Sequence, residues 1–235
     1  MSRVIFDIET VGVDFDSLDP STQEYLLRWA DTEDEAEKIK ESLSFYPLTG
    51  EIVSIGMLDP DTNKGAIYFQ AIGDIPLPFE EDGIKYESGT ESDILNKFWN
   101  NIKAYDQFIT FNGRTFDCPF IIIRSAINRV KPTRDLLPNR YHSTHIDLLD
   151  QLTFYGISKR RFSLDMWCKT FGIKSPKSPN EKGEAITGND VKRLFQSGRY
   201  IDIAKYCLRD LLATKELYFI WENYIKVDSN NYKSN

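Results

Sequence analysis

Residues 4 to 12 read VIFDIETVG, and this stretch constrains the fold more than any other. From Arg3 to Ile8 it has the β-branched and aromatic content of a buried strand. Asp7 and Glu9 interrupt it two residues apart, and residues at that spacing face the same side of a strand. Burying one unpartnered carboxylate costs several kcal/mol or forces its protonation, and two on one face compound the cost. The pair therefore belongs at an exposed end of a sheet or beside something cationic. A hard divalent cation such as Mg²⁺ or Mn²⁺, which prefers oxygen ligands, would hold both.

The rest of the chain supplies the other parts of a mixed α/β domain. IVSIGML (52–58), GAIYFQAI (65–72) and QFITF (107–111) read as strands, the first two joined by the turn signal DPDTNKG. Residues 20–44 read as helical, opened by Asp19-Pro20-Ser21 and ended by Pro47 and Gly50. Residues 73–89, rich in proline, glycine and acid, read as a loop, and 129–145 as irregular. Helical periods follow at 92–104, from Asp117 onward, around 162–171 and 189–196, and over a long stretch from Tyr200 to Tyr224. The expected organisation is one domain over 1–225, with a helical insertion at about 14–50 and a polar tail at 226–235.

Composition narrows the setting. No run approaches the roughly 20 apolar residues of a membrane span. The first residues lack the basic-then-apolar pattern of a secretory signal. Cys118, Cys168 and Cys207 are odd in number and lack CxxC spacing, which argues against zinc or a disulfide framework and fits a reducing cytoplasm. Net charge is −7, yet residues 158–193 carry nine Lys or Arg against four acids. An acidic whole therefore leaves room for a local basic field that includes Lys159, Arg160 and Arg161.

Two further fragments bear acids. In FNGRTFDCP (111–119), Asn112-Gly113 makes a tight turn and Asp117 falls at the amino end of a helix, where a negative charge is favoured. In YCLRD (206–210), Tyr206 and Asp210 stand i and i+4, on one helical face. Each fragment alone also has a structural reading: a helix cap in the first, a core-edge tyrosine beside a solvated acid in the second.

In this order, DIET, NGxxFDxP and YxxxD resemble the motifs of 3′–5′ exonucleases with four acidic ligands, in their tyrosine subtype. The middle motif is most similar to the exonuclease domains of family B DNA polymerases and to stand-alone predicted exonucleases related to them. The likeness spans about residues 3 to 224. It implies a ribonuclease H-like fold, a central mixed five-stranded sheet with helices on both faces. It also implies that Asp7, Glu9, Asp117 and Asp210 bind two divalent cations, Mg²⁺ or Mn²⁺, with Asp7 shared between them, and that Tyr206 orients the attacking water. The sister subtype has a histidine five residues before the last aspartate, where this chain has Lys205. His142 and His145, in the irregular segment, read as non-catalytic.

The implied reaction is metal-dependent hydrolysis from the 3′ end of single-stranded nucleic acid, DNA favoured over RNA. Thr10, Asn112, Arg114 and Phe116 are the implied substrate contacts, with the basic stretch at 159–161 as a further phosphate contact. Such a chain would serve alone or in a replication or repair complex, with no membrane partner. A 3′–5′ exoribonuclease and a non-catalytic binding module on the same fold are the competing readings. Cys118 and Cys207, beside Asp117 and Tyr206, read as small buried apolar residues. The insertion at 14–50, directly after the first motif, is expected to overhang the active-site mouth.

Overall fold

A computed structural model describes residues 1–73, 77–180 and 183–226. Its centre is a seven-stranded mixed sheet. The strands are β1 (Arg3–Gly12), β2 (Gly50–Leu58), β3 (Gly65–Gln70), β4 (Phe79–Glu81), β5 (Ile84–Gly89), β6 (Gln107–Thr110) and β7 (His145–Asp147), in the spatial order β4-β5-β3-β2-β1-β6-β7. The run β3-β2-β1-β6-β7 supplies the expected five strands, with β2 antiparallel to both neighbours and β6 and β7 parallel to β1.

The sheet departs from expectation at the other edge. Residues 73–89, read as a loop, contain β4 and β5, and β5 runs parallel to β3. Ile84 and Tyr86 are buried on one side of β5 while Lys85 faces out, so one face of this edge pairing is core. Phe79 stacks on Tyr86 with ring centroids 4.6 Å apart and closes that edge.

β1 sorts its residues between two cores. Val4, Phe6 and Ile8 pack with α3 (Glu91–Ile102) and α4 (Asp117–Ile127) on one face. Ile5 packs on the other face with α5 (Leu148–Leu152), α6 (Leu164–Phe171) and α8 (Tyr200–Ile220). The two-residue period of the strand therefore sends Asp7 and Glu9 to the α8 side. Gly56 pairs with Asp7 across the β1–β2 ladder, and a Cβ there would lie 2.6 Å from Leu211 and 2.8 Å from the Cys207 sulfur. Only glycine lets α8 approach this closely.

Between β1 and β2 the chain forms two helices, α1 (Pro20–Leu27) and α2 (Glu33–Glu41), where one helical segment was expected. Thr32 and Glu35 form a capping box that restarts the helix after the break. Neither helix buries a residue; Phe15 and Leu43, at the ends of the segment, are its buried anchors. A short α7 (Val191–Gln196) precedes α8. The expected tail from 227 onward lies outside the described residues. No described helix is long and apolar enough to cross a membrane.

Candidate active site

The carboxylates named from sequence are brought together from three separate stretches. Asp7 and Glu9 project from the middle of β1, which runs on to Gly12 instead of ending beside them as expected, and their oxygens lie within 4.8 Å of each other and of the Cys207 sulfur. Just beyond Glu9 the ladder slips, with Glu9 opposite Ser54 and Thr10 opposite Ile52, so that Val53 is the extra residue of a bulge. Val53 packs there with Val11, Ile203 and Tyr206, which seats α8 against the end of the strand. Asp117 opens α4, and its Oδ1 accepts the backbone N–H of Ile8 at 3.1 Å, between the two β1 acids. Asp210 lies one helical turn beyond Tyr206 on α8.

Their electrostatics reflect crowding. Burial pushes the carboxyl groups of Asp7 and Glu9 well above the ordinary range, and the charges of Asp117 and Asp210 push them further. Burial raises Asp117 and Asp210 to about 7 each. Hydrogen bonding from Tyr206 and the charges of Arg209 and Lys177 work against the rise at Asp210. Burial and the neighbouring acids push the Tyr206 phenol far up, so it stays a neutral hydroxyl. Arg209 lies with its guanidinium carbon 5.4 Å from the Tyr206 ring centre, and its Nε and Nη2 are buried without a hydrogen-bond acceptor.

A desolvated set of hard oxygen donors with so little opposing charge fits a hard divalent cation. Cys207 does not join that set. Burial pushes its thiol well up, and its S–H donates to the Asp7 carbonyl at 3.8 Å, so it remains protonated and serves packing.

The turn before Asp117 is clamped by Asp147, which the sequence reading missed. Its Oδ1 accepts from the backbone N–H of Asn112 (2.9 Å) and Leu149 (3.0 Å), and its Oδ2 from that of Arg114 (3.0 Å). Asn112 takes a left-handed conformation with φ of 66°, which asparagine tolerates. Gly113 follows, where a Cβ would lie 2.4 Å from the Thr110 hydroxyl. An acid at the end of a short strand, just before a helix, is a helix-cap signal in HIDLL (145–149) that gave no hint of this second task. Asp147→Asn puts an amide N–H₂ or a lone oxygen where two acceptors are needed. It is expected to cost about 1–3 kcal/mol in denaturant unfolding.

The expected substrate contacts divide. Arg161 donates to the Asn112 side chain at 2.8 Å, which brings the basic stretch to this turn. The Arg114 guanidinium is bound to the carbonyls of Pro138 and Asn139. Thr10 donates its hydroxyl to the Ser44 carbonyl at 2.7 Å. Thr10 and Phe116, with Glu9 and Phe45, line a cavity of about 770 Å³ between the end of β1 and the segment that carries α2. His145 is buried against Thr110 and Leu136, which pushes it down to about 3 and leaves it neutral.

Residues 52–234 match the sequence model of a family described as predicted 3′-5′ exonucleases related to the exonuclease domain of PolB. Asp117, Tyr206 and Asp210 fall inside the match, and Asp7 and Glu9 precede it. A search of curated proteins found no match. Among solved structures, the fold is similar to the family B DNA polymerase of the hyperthermophilic archaeon Pyrobaculum calidifontis, with a TM-score of 0.55 and 16% identity. That similarity covers 94% of this chain and 24% of the polymerase, so the chain spans about a quarter of the length of the protein it resembles.

Proposed function

The chain belongs to the family of predicted 3′-5′ exonucleases related to the exonuclease domain of PolB, and from that premise we propose that it degrades single-stranded DNA. Hydrolysis proceeds from the 3′ end and releases nucleoside 5′-monophosphates. The observation that carries this reading is the convergence of Asp7, Glu9, Asp117 and Asp210 around Tyr206, desolvated and short of positive charge.

Asp7, Glu9, Asp117 and Asp210 would hold two divalent cations, Mg²⁺ or Mn²⁺. Bound there, the cations supply charge neutralisation at the scissile phosphate and a more acidic water. The residues of the chain do the placing. Tyr206, kept as a neutral phenol, offers one O–H and two lone pairs to fix a water against the phosphorus. Asp117, tied to the Ile8 N–H, keeps α4 in register with β1. Arg161 and the Asn112 turn it reaches present polar contacts to the strand, and Phe116 offers a flat surface to a base. The functional unit spans residues 1–225, with 14–50 as an insertion. Three buried free cysteines suit a cytoplasmic setting, and trimming 3′ ends suits replication or repair.

The test uses 5′-labelled single strands of DNA and RNA with Mg²⁺, Mn²⁺ or EDTA. A metal-dependent ladder on DNA is the expected result, and Tyr206→Phe is expected to slow it about 100-fold without loss of fold. A ladder on RNA alone would replace the DNA assignment. Tight binding with no degradation of either strand would make this a binding module.

A further inference from the structure

The four acids and Tyr206 leave Arg209 unused. It stands on α8 three residues beyond Tyr206 and directly before Asp210. Its guanidinium carbon lies 5.4 Å from the centre of the Tyr206 ring, and its charge works against the rise of both Glu9 and Asp210. It therefore sits on the flank of the site that Glu9, Tyr206 and Asp210 share. Nε and Nη2, the two nitrogens of the side-on edge of the guanidinium, are buried there without an acceptor among the described residues. Elsewhere in the chain a carboxylate fills that edge. Arg124 turns it to Glu91, Arg140 to Asp150 and Arg3 to Asp61. Glu9 and Asp210 are near enough to feel the charge of Arg209, yet neither takes its edge. Charged donors buried without a partner are costly to the free protein, and an anion with two oxygens side by side would remove the cost.

We propose that Arg209 is a further catalytic residue, whose Nε–Nη2 edge binds two oxygens of the phosphate that hydrolysis leaves on the 5′ carbon of the released nucleotide. This rests on the exonuclease reading. In that hydrolysis the water oxygen bonds to phosphorus as the bond from phosphorus to the upstream 3′ oxygen breaks. The 3′ oxygen keeps the electron pair and takes up, by way of solvent, the proton that the water gives up. The phosphate begins with two terminal oxygens and one negative charge, and ends with three oxygens and between one and two charges. Its third oxygen comes from the water that Tyr206 fixes, and so arrives on the flank where Arg209 stands. A planar fork matches two phosphate oxygens, and the desolvation that makes the empty edge costly makes the filled one strong. The contact tightens as charge builds on the attacking oxygen, so it favours the transition state over the bound strand. The Tyr206 ring under the guanidinium helps to hold its plane.

The experiment measures, by titration calorimetry at saturating Mn²⁺, the affinities of deoxyadenosine 5′-monophosphate and of deoxyadenosine for the wild type, Arg209→Met and Arg209→Lys. Methionine keeps an apolar stem over Tyr206, whereas lysine keeps the charge and loses the fork. Arg209→Met is expected to weaken the monophosphate at least about tenfold and the nucleoside by less than about threefold. Arg209→Lys should fall between Arg209→Met and the wild type. Under single turnover on a 5′-labelled strand, Arg209→Met should cut at least about tenfold more slowly. A change that only loosened the fold would weaken nucleoside and monophosphate alike. That outcome, an unchanged monophosphate affinity in Arg209→Met, full retention in Arg209→Lys or a wild type that does not bind the monophosphate would each overturn the contact. Loss of monophosphate affinity in Arg209→Met, in a protein that degrades no strand, would overturn the exonuclease reading and leave the contact standing. A strand degraded as fast by Arg209→Met as by the wild type would overturn the contact and leave that reading standing.

Discussion

Asp7→Asn is expected to lower degradation by about 10³-fold or more, and yet to raise the stability of the metal-free protein at neutral pH. Both effects come from one cluster. Burial first, and then the charges of Asp117, Asp210 and Glu9, hold the Asp7 carboxyl well above its ordinary value of 3.8. A carboxyl whose folded value exceeds its unfolded one favours folding fully below the unfolded value. That contribution is lost as pH rises through the folded value, here about 7 for Asp117 and Asp210. In EDTA the wild-type melting temperature should therefore fall from pH 5 to pH 8. Removing the Asp7 charge should flatten the fall and return on the order of 1–3 kcal/mol at pH 7.5. Mn²⁺ should raise the melting temperature of the wild type at pH 7.5, as a ligand of the native state must, and do little for the variant. A wild-type melting temperature in EDTA that does not change with pH would show that the acids do not oppose one another in the fold.

The sequence made the acids visible because strand and helix periods fix which residues share a face. Asp7 with Glu9, and Tyr206 with Asp210, could be paired by counting. Counting could not say which core their face would meet. That was decided by Gly56, whose missing side chain admits α8, and by the bulge at Val53, which a linear pattern does not encode. The edge strand β5 does carry the alternation of a half-buried strand in Ile84-Lys85-Tyr86-Glu87, but the run is short and the proline, glycine and acid around it read as a loop. β7 was hidden by its length of three residues, and with it the hold of Asp147 on the Asn112 turn. The helical reading of 20–44 missed its interruption, because Thr32 and Glu35 restart the helix through a cap, a signal weaker than a proline. The motif order carried further than any of these, since it named a family that the match over 52–234 bears out.

Glu91→Ala, between α3 and α4, is expected to destabilise the fold by about 3–5 kcal/mol. Glu91 and Arg124 are 7% and 9% exposed and form a two-pronged ion pair, with Nε to Oε1 at 2.8 Å and Nη2 to Oε2 at 2.5 Å. Glu91 also accepts the Ile52 backbone N–H at 2.8 Å and the Asn128 amide at 2.8 Å. Truncation would strand the Arg124 charge out of water and leave the Ile52 N–H without its acceptor. Glu91→Met with Arg124→Leu removes both charges and should recover most of the loss in urea unfolding, leaving chiefly the Ile52 N–H without its acceptor and the Pro47 carbonyl without its Arg124 donor, while the Asn128 amide keeps its bond to the Arg124 carbonyl. A loss below about 1 kcal/mol for Glu91→Ala would mean that water reaches the pair. The position of this pair connects stability to the site. Ile52 faces Thr10 across the bulge, and Arg124 lies on the helix that Asp117 opens. The anchor therefore holds β2 and α4 at the spacing that brings Asp117 to β1. At a temperature where Glu91→Ala is still folded, its stabilisation by Mn²⁺ should be smaller than that of the wild type. Equal stabilisation would show that Asp117 keeps its place through the Ile8 hydrogen bond alone.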